Sequence, residues 1–333
     1  MTKKIDFNIS IIRVLSMLSI IGGHLLSMYG INHFQFGAIG VEIFLFISGY
    51  LYSKKNISNI KEWIINRCTR LIVPYWIVLS GVIVLRFCFK YEVTLDAVAV
   101  FALNMQGVDK IFREISLPAL RGMGQTWFLT VLILCYGIML FLKKNEHVEK
   151  FIRKNIKVIF LFSVILQLLL SAIHIQIIRP LCFFYGYFWA DSKLDVSKNK
   201  YIKLTIFMIV FTVLRFITHM FYDQSVIYDY VVFGWSFVIL AVWLIFTAVK
   251  FFNHFSGIRE KMVNKKSWLV IDLMTYPLFL THYMFASGEF AVINWVKGIF
   301  GQLIVFFAIT IITASIVLII SDYKKVKKIV FDI

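Results

Sequence analysis

The sequence predicts an all-α, polytopic integral membrane protein with about ten transmembrane helices and both termini on the cytoplasmic side. Three observations predict it. Of 333 residues, 60% are hydrophobic and 16% charged, at a mean hydropathy of +0.82, which is more apolar surface than a soluble core of this size can hide. The apolar residues gather into runs near the roughly 20 residues that a span requires. With the N-terminus inside, the inner segments hold 26 Lys and Arg and the outer segments 6, with Arg13, Arg86 and Arg215 inside spans. That is the positive-inside pattern with every alternate loop in phase.

The runs lie at 8–29, 37–53, 71–89, 126–142, 156–175, 176–190, 202–221, 226–249, 268–287 and 299–321. The first follows MTKK and is interrupted by Arg13, with no small-residue cleavage site after Tyr29, so it reads as an uncleaved helix. The second carries Glu42 close to its outer start. A basic amphipathic stretch, KEWIINRCTRLIVPYW (61–76), feeds the third. Residues 90–125 form the longest outer loop, and the mildly apolar VAVFALNMQG inside it suggests a re-entrant or interfacial element. The fourth run opens at Trp127, the sixth is short for a span, and the ninth carries His282. No polar stretch is long enough to fold separately, so residues 1–333 read as a single transmembrane domain.

The net charge of +17 is spread over six loops without a folded platform, which argues against nucleic acid as a partner. Cys68, Cys88, Cys135 and Cys182 show no metal or redox spacing, so neither a metal site nor a bound cofactor is expected. Function is sought instead in polar groups placed where they are costly. Arg13 and His24 are eleven residues apart, about 20° around a helix axis and about 16 Å along it, so they share a face. Glu42, descending from the outside, is expected at a depth like that of His24, near enough to meet it. His282 and Trp127 fall in the same outer layer. Arg67 and Arg70, at helix-neighbour spacing on the inner side, offer two guanidinium forks suited to phosphate or to anionic lipid. Arg86 and Arg215 read as snorkelling residues, Ser48 as a small packing residue, and His174 and His219, near helix ends, as structural.

Taken in order, these motifs resemble the membrane-bound acyltransferase 3 family. The family's Arg, ten residues, His pattern matches Arg13 and His24; its Gly-Val-acidic stretch ending in Ser-Gly matches GAIGVEIFLFISGY (37–50), with Glu42 and Ser48. Its Arg-x-x-Arg before Pro-Tyr matches RCTRLIVPYW (67–76), and its Trp-Phe-Leu matches QTWFL (125–129). RPLCFFYGYF (179–188) and TYPLFLTHYMF (275–285), with Tyr276 and His282, complete the set. The resemblance implies transfer of an acyl group, most simply acetyl from acetyl-CoA, to a hydroxyl of a surface glycan or its lipid-linked precursor, while the abundance of Lys, Ile, Asn and Phe points to a bacterial plasma membrane. It implies catalysis by His24 with Glu42 and Arg13, acyl-CoA binding by Arg67 and Arg70, and a substrate pocket of Trp127, His282, Tyr276 and Ser48. Some relatives carry an added extracytoplasmic domain; no hydrolase-like second site is expected here. A transporter of glycan intermediates is the alternative, since buried charges also mark transport paths, although no repeat symmetry supports it.

Overall fold

The computed structural model describes residues 7–31, 37–189, 194, 196–222, 232, 234–255, 257 and 266–330. The side chains of Ala38, His219, Phe221 and Tyr222, those from 322 on, Lys3, Lys4, residues 226–231 of the eighth predicted run and the basic segment 258–265 lie outside that description. The described residues form twelve α-helices joined by turns, short 3-10 segments and loops: α1 Phe7–Met28, α2 Gly37–Ser53, α3 Ile60–Cys88, α4 Leu95–Ala102, α5 Trp127–Lys144, α6 Glu146–Lys154, α7 Ile156–Ser171, α8 Ile178–Trp189, α9 Lys198–Tyr222, α10 Gly234–His254, α11 Lys266–Ala286 and α12 Ile299–Val330.

A helix lies on each of the ten predicted runs, but ten crossings do not follow. Among the described residues seven helices are long and apolar enough to span, α1, α3, α5, α9, α10, α11 and α12, and an eighth span arises if α6 and α7 are taken together across their 89° bend. α2 has 17 residues and α8 only 12, short of the roughly 20 that cross a bilayer. Composition cannot separate a lipid-crossing run from a buried apolar helix, and these two are buried. α2 packs against α1, α8 and α10, and Leu45, Phe46, Cys182, Phe183 and Tyr187 are fully enclosed.

Glycine makes that contact close. A Cβ on Gly186 would overlap the Phe46 carbonyl, and one on Gly49 the Phe183 carbonyl, so the α2 and α8 backbones touch along parallel paths. Absent side chains allow such approach where lipid supplies no hydrophobic drive for helix association. α9 lies at the other extreme, with none of its apolar window buried, and faces lipid apart from its antiparallel contact with α10 through Tyr201–Thr247 and Trp243–Thr205.

α3 starts at Asn59, whose side chain accepts from the Glu62 N–H at 3.1 Å and so satisfies an otherwise orphaned donor. At its other end Arg86 does not snorkel. It is 5% exposed, donates to Glu289 at 2.8 Å and to the Glu92 carbonyl, and ties α3 to the turn after α11. Burial alone would raise the Glu289 carboxyl, but the Arg86 hydrogen bond and the charges of Arg86 and Arg121 hold it below the usual carboxylate range. The outer loop dips back into the bundle as its apolar stretch suggested. Tyr75, eleven residues and about 16 Å below Arg86 along α3, donates to the Phe101 carbonyl at 2.6 Å. Gln106 then donates to Thr126 at the threshold of α5.

Candidate active site

The site is built first on the parallel seam between α1 and α11. Trp268 donates to Ser10 at 3.0 Å, Arg13 Nη2 lies 2.9 Å from Asp272 Oδ1, and the rings of His24 and His282 are 5.3 Å apart, centroid to centroid. The stripe shared by Arg13 and His24 therefore faces a second helix carrying its own carboxylate and imidazole. His24 also meets the edge of Tyr283 at 4.6 Å. His282 is fully buried, and its Nδ1 lies 3.0 Å from the Leu278 carbonyl oxygen. A carbonyl only accepts, so in the neutral ring Nδ1 carries the proton and Nε2 keeps the lone pair. That Nε2 is buried without a hydrogen-bond partner among the described residues. An imidazole nitrogen in that condition is an open acceptor, able to receive a hydrogen bond from a group brought beside it.

The start of α5 closes over this pair. Gln125 donates to the Leu280 carbonyl at 2.8 Å, and Phe128 packs edge-on to Phe279 at 5.5 Å, next to His282. Trp127 thus belongs to the layer of His282, as its place in the sequence suggested.

Glu42 is not at the depth of His24. Gly40 packs on the Ser16 carbonyl and Ile20, so Glu42, two residues further down α2, lies about 10 Å below His24. Its ionic partner is Arg179, in the first turn of α8, with Nε 3.7 Å from Oε1. The Arg179 guanidinium lies 4.4 Å over the Trp127 ring and donates to Gln176 at 3.0 Å. The expected Glu42–His24 pair is thus replaced by a second polar centre across the Trp127–Phe128 corner, because the close α1–α2 contact fixes the register between those helices.

At the inner end the two arginines diverge. Arg67 is enclosed between Tyr52 and Tyr136, its carbon 4.9 and 5.0 Å from their ring centres, and donates to the Tyr136 hydroxyl. Arg70 stays exposed. They form one caged and one exposed guanidinium instead of twin forks. Tyr276 donates to the Leu71 carbonyl at 2.7 Å, one turn above Arg67, and stacks 6.5 Å from Phe279, which lies 6.1 Å from His282. An aromatic column on α11 thus joins the level of the inner arginine to that of the histidines. Ser48, half-buried, sits about 9 Å below Glu42 beside the α2–α8 contact and is not brought to the histidines.

Sequence reading passed over Asp272, Arg179 and Gln125 as site residues. Asp272 was within reach, since it is an acidic residue inside the ninth run, open to the same argument that singled out Glu42. Arg179 gave a weaker signal, because it lies only four residues into the short sixth run and was counted with the outer-loop charges.

Fold and site together define a polytopic membrane protein with two facing imidazoles on one helix seam and a cationic end at Arg67 and Arg70. The chain belongs to the acyltransferase 3 family: the family model, described as an acyltransferase domain, matches residues 6–322, nearly its whole length. Comparison with curated proteins and with solved structures gave no match.

Proposed function

We propose that this membrane acyltransferase moves an acetyl group from cytoplasmic acetyl-CoA to a hydroxyl of a cell-surface glycan or its lipid-linked precursor, in a bacterial plasma membrane. The single observation that carries the reading is the facing pair of half-buried His24 and fully buried His282, with an unshared imidazole nitrogen, in a chain whose family transfers acyl groups. The polyanionic donor meets the basic inner end, where exposed Arg70 reaches its phosphates and Arg67, held by two tyrosines, stands at the foot of the aromatic column. His24 takes the proton of the acceptor hydroxyl as its oxygen attacks the thioester carbonyl. The C–S bond breaks, the proton passes to the departing CoA thiolate, and the ester and free CoA result. His282 holds the adjacent imidazole in place and stabilises the proton in transit, while the Arg13–Asp272 pair fixes α1 against α11 below them.

The test is radiolabelled acetyl transfer in membranes containing His24→Ala at wild-type expression. A loss of about 10²-fold or more is expected from removal of a general base. Wild-type turnover would remove His24 from the mechanism.

A further inference from the structure

Glu42 and Arg179 form an incomplete ion pair. The carboxylate is 3% exposed, yet its distance of 3.7 Å from Arg179 Nε is too long for a hydrogen bond. Glu42 Oε2 and Arg179 Nε both lack a hydrogen-bond partner among the described residues. Burying two charges this way is costly unless their remaining donors and acceptors are satisfied. The guanidinium is not free to turn toward a better arrangement, because Gln176 holds one end and the Trp127 ring lies against its face. What is left is a fixed donor and a fixed acceptor side by side. Two neighbouring hydroxyls of a sugar complement them, one accepting from Nε and the other donating to Oε2, each bond charge-assisted.

We propose that Glu42, Arg179 and Trp127 form a subsite for the acceptor glycan, gripping a hydroxyl pair other than the one acylated. The proposal rests on the acyl-transfer reading above. The Trp127–Phe128 corner separates this subsite from His24 and His282, so the acceptor it fits is an oligosaccharide or polysaccharide that bridges both centres, not a lone small alcohol. Glu42 and Arg179 act on where the acceptor sits, not on the proton.

The experiment uses purified full-length protein in lipid nanodiscs, radiolabelled acetyl-CoA, and alkali-deacylated surface glycan from the cell of origin as the acceptor probe. Two variants keep charge balance so that they fold: Arg179→Lys, which retains the cation but loses the planar fork, and the neutral double variant Glu42→Gln with Arg179→Gln. In both, the KM for glycan is expected to rise about tenfold or more, the loss of one or two charge-assisted hydrogen bonds, while the KM for acetyl-CoA moves less than twofold. A purely structural ion pair would shift both constants or lower kcat alone, and that outcome overturns the subsite. An unchanged glycan KM in either folded variant overturns it as well. If the wild type transfers no acetyl to glycan, the acyl-transfer reading fails, which is a separate result.

Discussion

At the scale of single residues, the site consists of polar groups that lipid would reject and the bundle retains by pairing. Arg13 is a third exposed and Asp272 almost wholly buried, so each supplies the charge that makes the other tolerable. Removing one partner of a buried pair costs about 3–5 kcal/mol, because the remaining charge is uncompensated, whereas removing both is far milder. Arg13→Gln alone is therefore expected to lower the thermal midpoint in fluorescence-detected size exclusion, and Arg13→Gln with Asp272→Asn to recover most of it. If the pair only braces the seam, the double variant regains transfer along with stability. If the cation itself serves the reaction, as its place below His24 suggests, stability returns and transfer does not. A double variant no more stable than the single one would show that the two side chains do not compensate each other.

At the scale of elements, the contact that positions Glu42 and Arg179 is the backbone approach of α2 and α8. At Gly186 an added methyl meets the Phe46 carbonyl and Cα, which are main-chain atoms unable to turn aside as a side chain would. Gly186→Ala must therefore push the helices apart, at an overpacking cost of about 1–3 kcal/mol. The expected result is a thermal midpoint lowered by several degrees with reduced transfer, while Gly137→Ala on α5, where nothing lies within 4 Å, leaves both within error. Equal behaviour of the two variants would remove the close contact from the account.

At the scale of the whole molecule, the alternation of charge places opposite ends of α3 on opposite sides of the membrane, and two native cysteines report on it. Cys68 and Cys88 are both exposed, near the inner and outer ends of that helix. A membrane-impermeant maleimide applied to intact cells is expected to label Cys88 and spare Cys68, with both labelled after lysis; the reverse order would invert the topology. The sequence alone settles the class of solvent, the helical character and the family, because hydropathy and motif order are properties of segments and need no partner to be expressed. It also picks out Arg13, His24 and His282, since an ionisable side chain inside an apolar run is conspicuous wherever it faces. Which of those groups meet is decided only in three dimensions. His24 faces His282, Arg13 faces Asp272 and Glu42 faces Arg179 because helix register follows from close contacts such as Gly40 on Ser16 and Gly186 on Phe46. Those contacts join residues distant in the chain, and no local pattern of hydropathy or spacing encodes them.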